Sequence, residues 1–373
     1  MPLLLLFVIT LGPAWPVHAN SSDTVRIENP AKAPRTEVVR LDELWRAGGE
    51  DADHFFGQIS GMLVDRDGRV YVADSQAQEI SVFSPDGELL RRLGHEGEGP
   101  GEFRDPRSML VMPDGRIGVV HEEPPRITCY RAADGEYLGD FHFTEDPGHP
   151  FQRLTRVECR GRTLVAYAAD VSEGPGGMKV TGRIMRFDAS GKFLGECDSL
   201  SSEFNFAEPV IRERYDLLWA VGPDGRVYIC RDLAYGFTVH GHGGGAERAF
   251  TREFEPVRRT TAELDSIRAY YRRVGGTGDM KIELLDHERD ILWLSVDNAG
   301  RLWVLSSRGR QNIAADSLAV FDVFDRDGRL DRAADLRAER GENDGYYMSG
   351  DRFFVIHRDT MELVAYRMPE LKR

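Results

Sequence analysis

A glycine-centred turn flanked by apolar stretches recurs six times along the chain. It appears as DRDGRV (65–70), MPDGRI (112–117), ECRGRT (158–163), GPDGRV (222–227), DNAGRL (297–302) and SGDRFF (349–354). The glycine supplies the positive φ that a tight hairpin turn requires. A second series sits later in most units: SPDGEL (84–89), AADGEY (132–137), DASGKF (188–193) and DRDGRL (325–330). The looser HGHGGGAE (240–247) takes that place in the fourth unit. Each unit therefore reads strand, tight turn, strand, longer loop, strand, tight turn, strand. The sixth ends before its second turn.

Successive first turns lie 46 to 75 residues apart. A four-stranded unit repeated at such a period predicts a β-propeller. Individual strands agree. In GRLWVLS, Leu302 and Val304 lie on one face and Trp303 and Leu305 on the other. A strand apolar on both faces must be covered on both, as it is when a blade packs between two neighbours. Six first turns mean six blades. The last, from Gly345, has room for three strands only: GYYMSG, DRFFVIHR and MELVAYRM. Thr36 to Trp45 alternates apolar and polar residues and has no blade of its own. It is expected to add the missing fourth strand and close the ring, which removes exposed sheet edges. The expected fold class is all-β, a six-bladed propeller of four-stranded antiparallel blades over residues 36–373. Residues 20–35 are expected to form an N-terminal linker.

The segment GMLVDRDGRVYVADSQAQEISVFSPDGELLRRLG (61–94) resembles an NHL-type repeat. It is similar to the repeats of bacterial six-bladed β-propeller proteins of the TolB-like superfamily. The resemblance is best over Asp51 to Phe141, and the turn pattern extends it over nearly the whole chain. It implies a fold more than a function, because such propellers include lyases, lactonase-like hydrolases and pure binding modules. Resemblance to the lyases would imply axial histidines holding zinc. Here the inner-strand starts, PRSMLV and DLLWAV, lack that histidine.

Charge narrows the partners. The 373 residues carry a formal net charge of -14. A chain so acidic repels nucleic acid at long range, so no nucleic-acid partner is expected. The only lysines are Lys32, Lys179, Lys192, Lys281 and Lys372, which leaves few groups for Schiff-base or phosphate-loop chemistry. The N-terminus, MPLLLLFVITLGPAWPVHAN, has an apolar run from Leu3 to Leu11, helix-breaking Gly12-Pro13, and small residues flanking His18. It is read as a signal peptide, residues 1–19, cut after Ala19. The competing readings are a short membrane anchor and a miscalled start. The run is too short to cross a bilayer, so no membrane span is expected and the mature chain would be periplasmic or secreted. Cys129, Cys159, Cys197 and Cys230 form no C-x-x-C motif. They read either as two disulfides or, preferably, as four thiols packed in strands.

Antiparallel geometry puts all the tight turns on one face of the ring. The longer loops within blades and the connections between blades share the other face, where function is expected. The longest connection, about Glu255 to Asp290, contains a predicted helix. Thr260 and Glu263 form its capping box, Leu264, Ile267, Tyr271 and Val274 its apolar side, and Gly275 its end. It reads as a lid over the channel or as a helix packed on the rim.

Second strands end near the loop-rich face in polar residues: Asp74, His121, Glu122, Glu123, Asp170, Arg231, Asp232, Arg308, His357, Arg358 and Asp359. Of these, Asp74, His121, Glu122, Arg231, Asp232, Arg308, His357 and Arg358 are candidate ligand-binding residues, expected to converge toward the axis. Their mixture of cations, imidazole and carboxylates suits an anionic or sugar-like ligand or an acid/base pair. The competing reading has Asp74 and Asp232 bonding their own loops and the arginines pairing along the rim. Catalytic motifs are missing: there is no G-x-S-x-G and no H-E-x-x-H. His240 and His242 could share a metal, though HGHGGG also reads as a loose turn. No cofactor is indicated, with calcium and zinc left open.

GHEGEGPGEF (94–103) has the glycine density of a phosphate loop. It lacks GK[ST], and Glu96, Glu98 and Glu102 repel phosphate. Its glycines are expected to let the chain cross from the rim of blade one to the axis of blade two, anchored by Phe103. The expected function is an exported binding module that recognises a small molecule, glycan or protein at the channel mouth. A propeller hydrolase or lyase using the same face is the alternative.

Overall fold

The computed structural model describes residues 24–49, 54–144, 146–174, 177–205, 217–231, 234–274, 283–311, 313–368 and 371. The expected signal peptide lies outside them, as does Asp232. Within them the strands form six sheets, each built on a four-stranded antiparallel blade. Blade one runs Ile59–Val64, Val70–Asp74, Glu79–Phe83 and Leu89–Leu93. Blade two runs from Ser108–Val111 to Tyr137–Phe141, and blade three from Arg153–Arg160 to Phe193–Asn205. Blade four runs from Leu218–Val221 to Ala246–Arg252, and blade five from Ile291–Val296 to Leu330–Arg337. Blade six holds Asp344–Ser349, Arg352–His357, Glu362–Arg367 and, outermost, Asp42–Gly48. The first strand of every blade lines one common central channel of about 710 Å³. This is the six-bladed propeller that the turn spacing predicts.

Six apolar clusters lie one at each blade interface. Leu302 and Val304 belong to the cluster facing blade four, Trp303 and Leu305 to the one facing blade six. Phe354 and Leu363 of blade six share a cluster with Met62 and Val72 of blade one, so the ring is closed. Each fully buried Phe or Leu in these layers contributes about 1.5–3 kcal/mol relative to exposure.

The turns show why the signature recurs. All eleven turn glycines adopt φ between +62° and +89°. The residue opening the turn often braces it. Asp65 Oδ1 accepts from Asp67 N and Arg69 N, and Asp325 Oδ1 accepts from Asp327 N and Arg329 N. Ser84 Oγ does the same for Asp86 N and Glu88 N. These are Asx and ST turns closed by a left-handed glycine.

The N-terminal segment departs from expectation. Thr36 to Trp45 does not add a single strand to blade six. Thr36–Arg40 lies parallel on the outer edge of blade five, and Asp42–Gly48 then pairs antiparallel with Glu362–Arg367 to close blade six. Within the stretch read as a linker, Val25–Asn29 adds a parallel fifth strand to blade four. The segment thus ties three blades together. Asn29, buried between blades four and five, donates Nδ2–H to Thr251 O and Gly328 O and accepts Leu330 N–H.

Blade three also differs. Its last three strands, Thr163–Gly174, Gly177–Phe187 and Phe193–Asn205, are 12, 11 and 13 residues long. The second strand of blade two has five residues. Seven extra residues carry the hairpin roughly 23 Å past the other loops, so Asp198 to Asn205, read as loop, is sheet. On this tower Val171 and Val180 share one face, while Asp170, Thr181 and Ser201 share the other. The helix between blades four and five is present as α1, Thr261–Val274. Thr260 N–H donates to Glu263 Oε2, and Glu263 N–H to Thr260 Oγ1, the expected capping box. No two of the four cysteines are joined in a disulfide.

Candidate functional site

The second strand of each blade lies one strand away from the axis, about 4.8 Å further out. For that reason none of the described candidate residues lines the central channel. The expected convergence on the axis does not occur. The channel wall instead pairs apolar groups such as Trp219, Trp293 and Met348 with Arg156, which stacks over the Trp219 ring at 4.5 Å.

Most of the candidates are engaged where they stand. Asp74 accepts the backbone N–H groups of Gly57, Gln58, Gln76 and Ala77 and so ties down its own loops. Arg231 ion-pairs with Asp198 of blade three and donates to Ser199 O at 2.6 Å. Arg308 clamps Glu255 through both its backbone and side-chain oxygens. His357 bonds Asp344 through Nδ1 at 2.8 Å. Arg358 is exposed and lies against Gly345. His240 does not pair with His242 for a metal. Its Nδ1–H serves Gly244 O, its Nε2 meets Thr238 Oγ1, and His242 is exposed. Among the described residues, no three His, Cys, Asp or Glu side chains are grouped to hold a metal ion.

His121 and Glu122 do come together, in a cleft of about 790 Å³ on the loop-rich face. One wall is the crossing from blade one to blade two, Gly97 to Asp105. The other is the Glu122–Pro124 loop with Arg126, Tyr137, Asp140 and Arg153. The glycine-rich stretch is therefore both architecture and cleft wall. Phe103, 1% exposed, sits over Gly94, where any Cβ would collide with its ring. Glu102 folds the loop inward, accepting Gly99 N–H and bonding His95 Nε2 at 2.9 Å. A side chain at Gly97 would strike the Glu102 carboxylate.

His121 is buried at 6% exposure, its ring edge-on to Phe103. A short relay fixes its tautomer. Thr128 has one hydroxyl proton and gives it to Asp140 Oδ1 at 2.9 Å. It must therefore accept from His121 Nε2, 2.8 Å away, so Nε2 carries the proton and Nδ1 keeps its lone pair. Burial, aided by the Arg126 charge, pushes the imidazole down to about 4, so the ring is neutral at pH 7. The cleft's arginines are compensated: Arg104 by Glu98 at 2.9 Å, Arg126 by Asp140 at 3.2 Å, Arg153 by Glu123 at 3.4 Å. Sequence reasoning found His121 and Glu122 but not the cross-strand partners. Asp140 and Thr128 sit in ordinary strand positions, and only the register of blade two joins them to His121.

Residues 51–150, which supply every lining residue of this cleft except Arg153, match a family model described as a 6-bladed beta-propeller. The fold of the described residues as a whole is a six-bladed β-propeller. Solved structures similar to it include a gluconolactonase from Xanthomonas campestris, at 13% identity and TM-score 0.49, covering 88% of this chain and 89% of that one. A candidate exported protein from Bacteroides fragilis is similar at 11% identity and TM-score 0.49, covering 93% of this propeller and 100% of its own chain. A catalytically inactive virginiamycin B lyase from Staphylococcus aureus with quinupristin is similar at 11% identity and TM-score 0.44, with coverage of 85% and 83%. No curated protein matches the propeller's sequence.

Proposed function

We propose that this propeller is an exported binding module that holds a small, hydroxyl-rich ligand in the cleft between blades one and two. The supporting observation is His121: a buried, neutral imidazole lining the cleft with one nitrogen tied to Thr128 and the other left as an acceptor. Around it, paired arginines and carboxylates offer donors and acceptors without a strong net field, and Tyr137 adds a partly exposed ring. Such a lining suits ligands that carry hydroxyls rather than full charges. Export rests on the apolar leader ending at Ala19.

The same imidazole could serve a hydrolase as general base. Its low proton affinity argues against that, because an efficient base has a pKa near the working pH and this one is held down to about 4. A panel of neutral oligosaccharides and polyols, followed by calorimetry with wild type, His121→Gln and Tyr137→Ala, tests the reading. Binding weakened about tenfold in either variant supports it, at roughly one hydrogen bond's worth of free energy. Turnover on an ester, lactone and glycoside panel that disappears in His121→Gln would sink it in favour of the hydrolase. Stoichiometric zinc or calcium lost in the same variant would do likewise.

A further inference from the structure

A second pocket of about 440 Å³ opens between blades five and six, separate from the His121 cleft. It is lined by Arg310, Leu318, Arg340, Gly341, Glu342, Asp344 and Tyr346. Most arginines of this chain are spent on carboxylates. Arg310 and Arg340 are different, since neither makes an ion pair or side-chain hydrogen bond with the described residues, and both are exposed. Arg358 is alike in this and lies against Gly345, beside Tyr346. All three guanidinium groups act electrostatically on the Tyr346 phenol, which burial keeps protonated and able to donate.

Neither carboxylate of the pocket ion-pairs with these arginines among the described residues. Asp344 is already committed, accepting Gly341 N–H at 2.9 Å and bonding His357 Nδ1 at 2.8 Å. Its charge and that of Glu342 offset two of the three arginines, and Glu288 acts on Arg310, so the pocket's suitability for an anion lies in its unpaired forked donors rather than in net charge. Guanidinium groups present planar, forked donors that match tetrahedral oxyanions. We infer that the pocket between blades five and six binds a tetrahedral oxyanion, the phosphate or sulfate group of a ligand, through Arg310, Arg340 and Tyr346 with Arg358 beside them.

Calorimetric titration of the mature chain with inorganic phosphate, sulfate and acetate tests this. Saturable binding of phosphate or sulfate, weakened about tenfold or more in Arg310→Gln/Arg340→Gln, supports the site. The relative affinities then say which of the two anions it prefers. The exposed positions of both arginines keep the variant foldable, and its circular dichroism checks this. Binding should persist in His121→Gln, which separates this site from the cleft. The inference is overturned by absence of saturable binding, by equal binding in the double variant, or by acetate binding as tightly as phosphate.

Discussion

His121 donates its Nε2–H to Thr128 Oγ1 across 2.8 Å because the single hydroxyl proton of Thr128 belongs to Asp140. The bond fixes the ring's tautomer, and burial beside the Arg126 charge makes charging the ring costly. His121 should titrate near 4 in the folded protein and near 6.5 in the unfolded chain. A depressed histidine contributes stability above its unfolded value and loses it as pH falls through its folded one. Between pH 7 and pH 4 wild type should therefore lose about 3 kcal/mol more than His121→Gln. Urea unfolding at several pH values measures this. A parallel loss in both proteins would show that the ring does not titrate as described.

Phe103 and Gly94 set the angle at which the chain leaves blade one. Phe103→Ala empties a fully buried site and should cost about 3–5 kcal/mol. Gly94→Ala combines a left-handed φ of +67° with a clash against the Phe103 ring, so it should also destabilise. In the double variant the clash disappears, and the two costs should sum to less than their separate values. Thermal unfolding of the three variants reads the coupling, and strict additivity would show that the two residues act separately.

How much of this was legible beforehand depends on the range of the interactions. The turn glycines and the two-faced strand at Leu302 to Leu305 are local signals, and they predict six blades correctly. The Thr260–Glu263 capping box is local too, and it marks α1. Val25–Asn29 is different. A parallel strand added to an outer edge carries little pattern of its own, and only the fit of Asn29 between two blades places it there. The long hairpin of blade three escapes for a similar reason, since Ser199, Ser201 and Ser202 read as loop until their register with Gly177–Phe187 is known. The candidate site follows the same rule. His121 is visible as a polar strand end, whereas its partners and its distance from the axis depend on the sheet.

Asn29 should then matter more than its place near the N-terminus suggests. Asn29→Ala leaves the buried Leu330 N–H without an acceptor and removes two donors, which should cost about 1–3 kcal/mol. Removing residues 24–40 should leave the ring closed, because Asp42–Gly48 still completes blade six. It would bare the edges of Ala246–Arg252 and Leu330–Arg337. Exposed edges template pairing between chains, so the truncated protein should self-associate with concentration in sedimentation experiments while the intact chain does not. Equal stability of Asn29→Ala and wild type would contradict the tie between blades.

His357 should show the opposite pH behaviour to His121. Its bond to Asp344 raises its proton affinity, with burial working against it. The Nε2 atom is buried and unpartnered in the described structure, so the Asp344 contact is what holds the charged form. A raised histidine contributes stability below its unfolded value of 6.5 and loses it as pH rises through the higher folded value. Asp344→Asn removes the charge that sustains the shift. His357 should then titrate at or below 6.5, and the stability lost on raising the pH above 6.5 should shrink. NMR titration of the imidazole protons in wild type and Asp344→Asn reads both effects, and an unchanged midpoint in the variant would assign the shift to some other group.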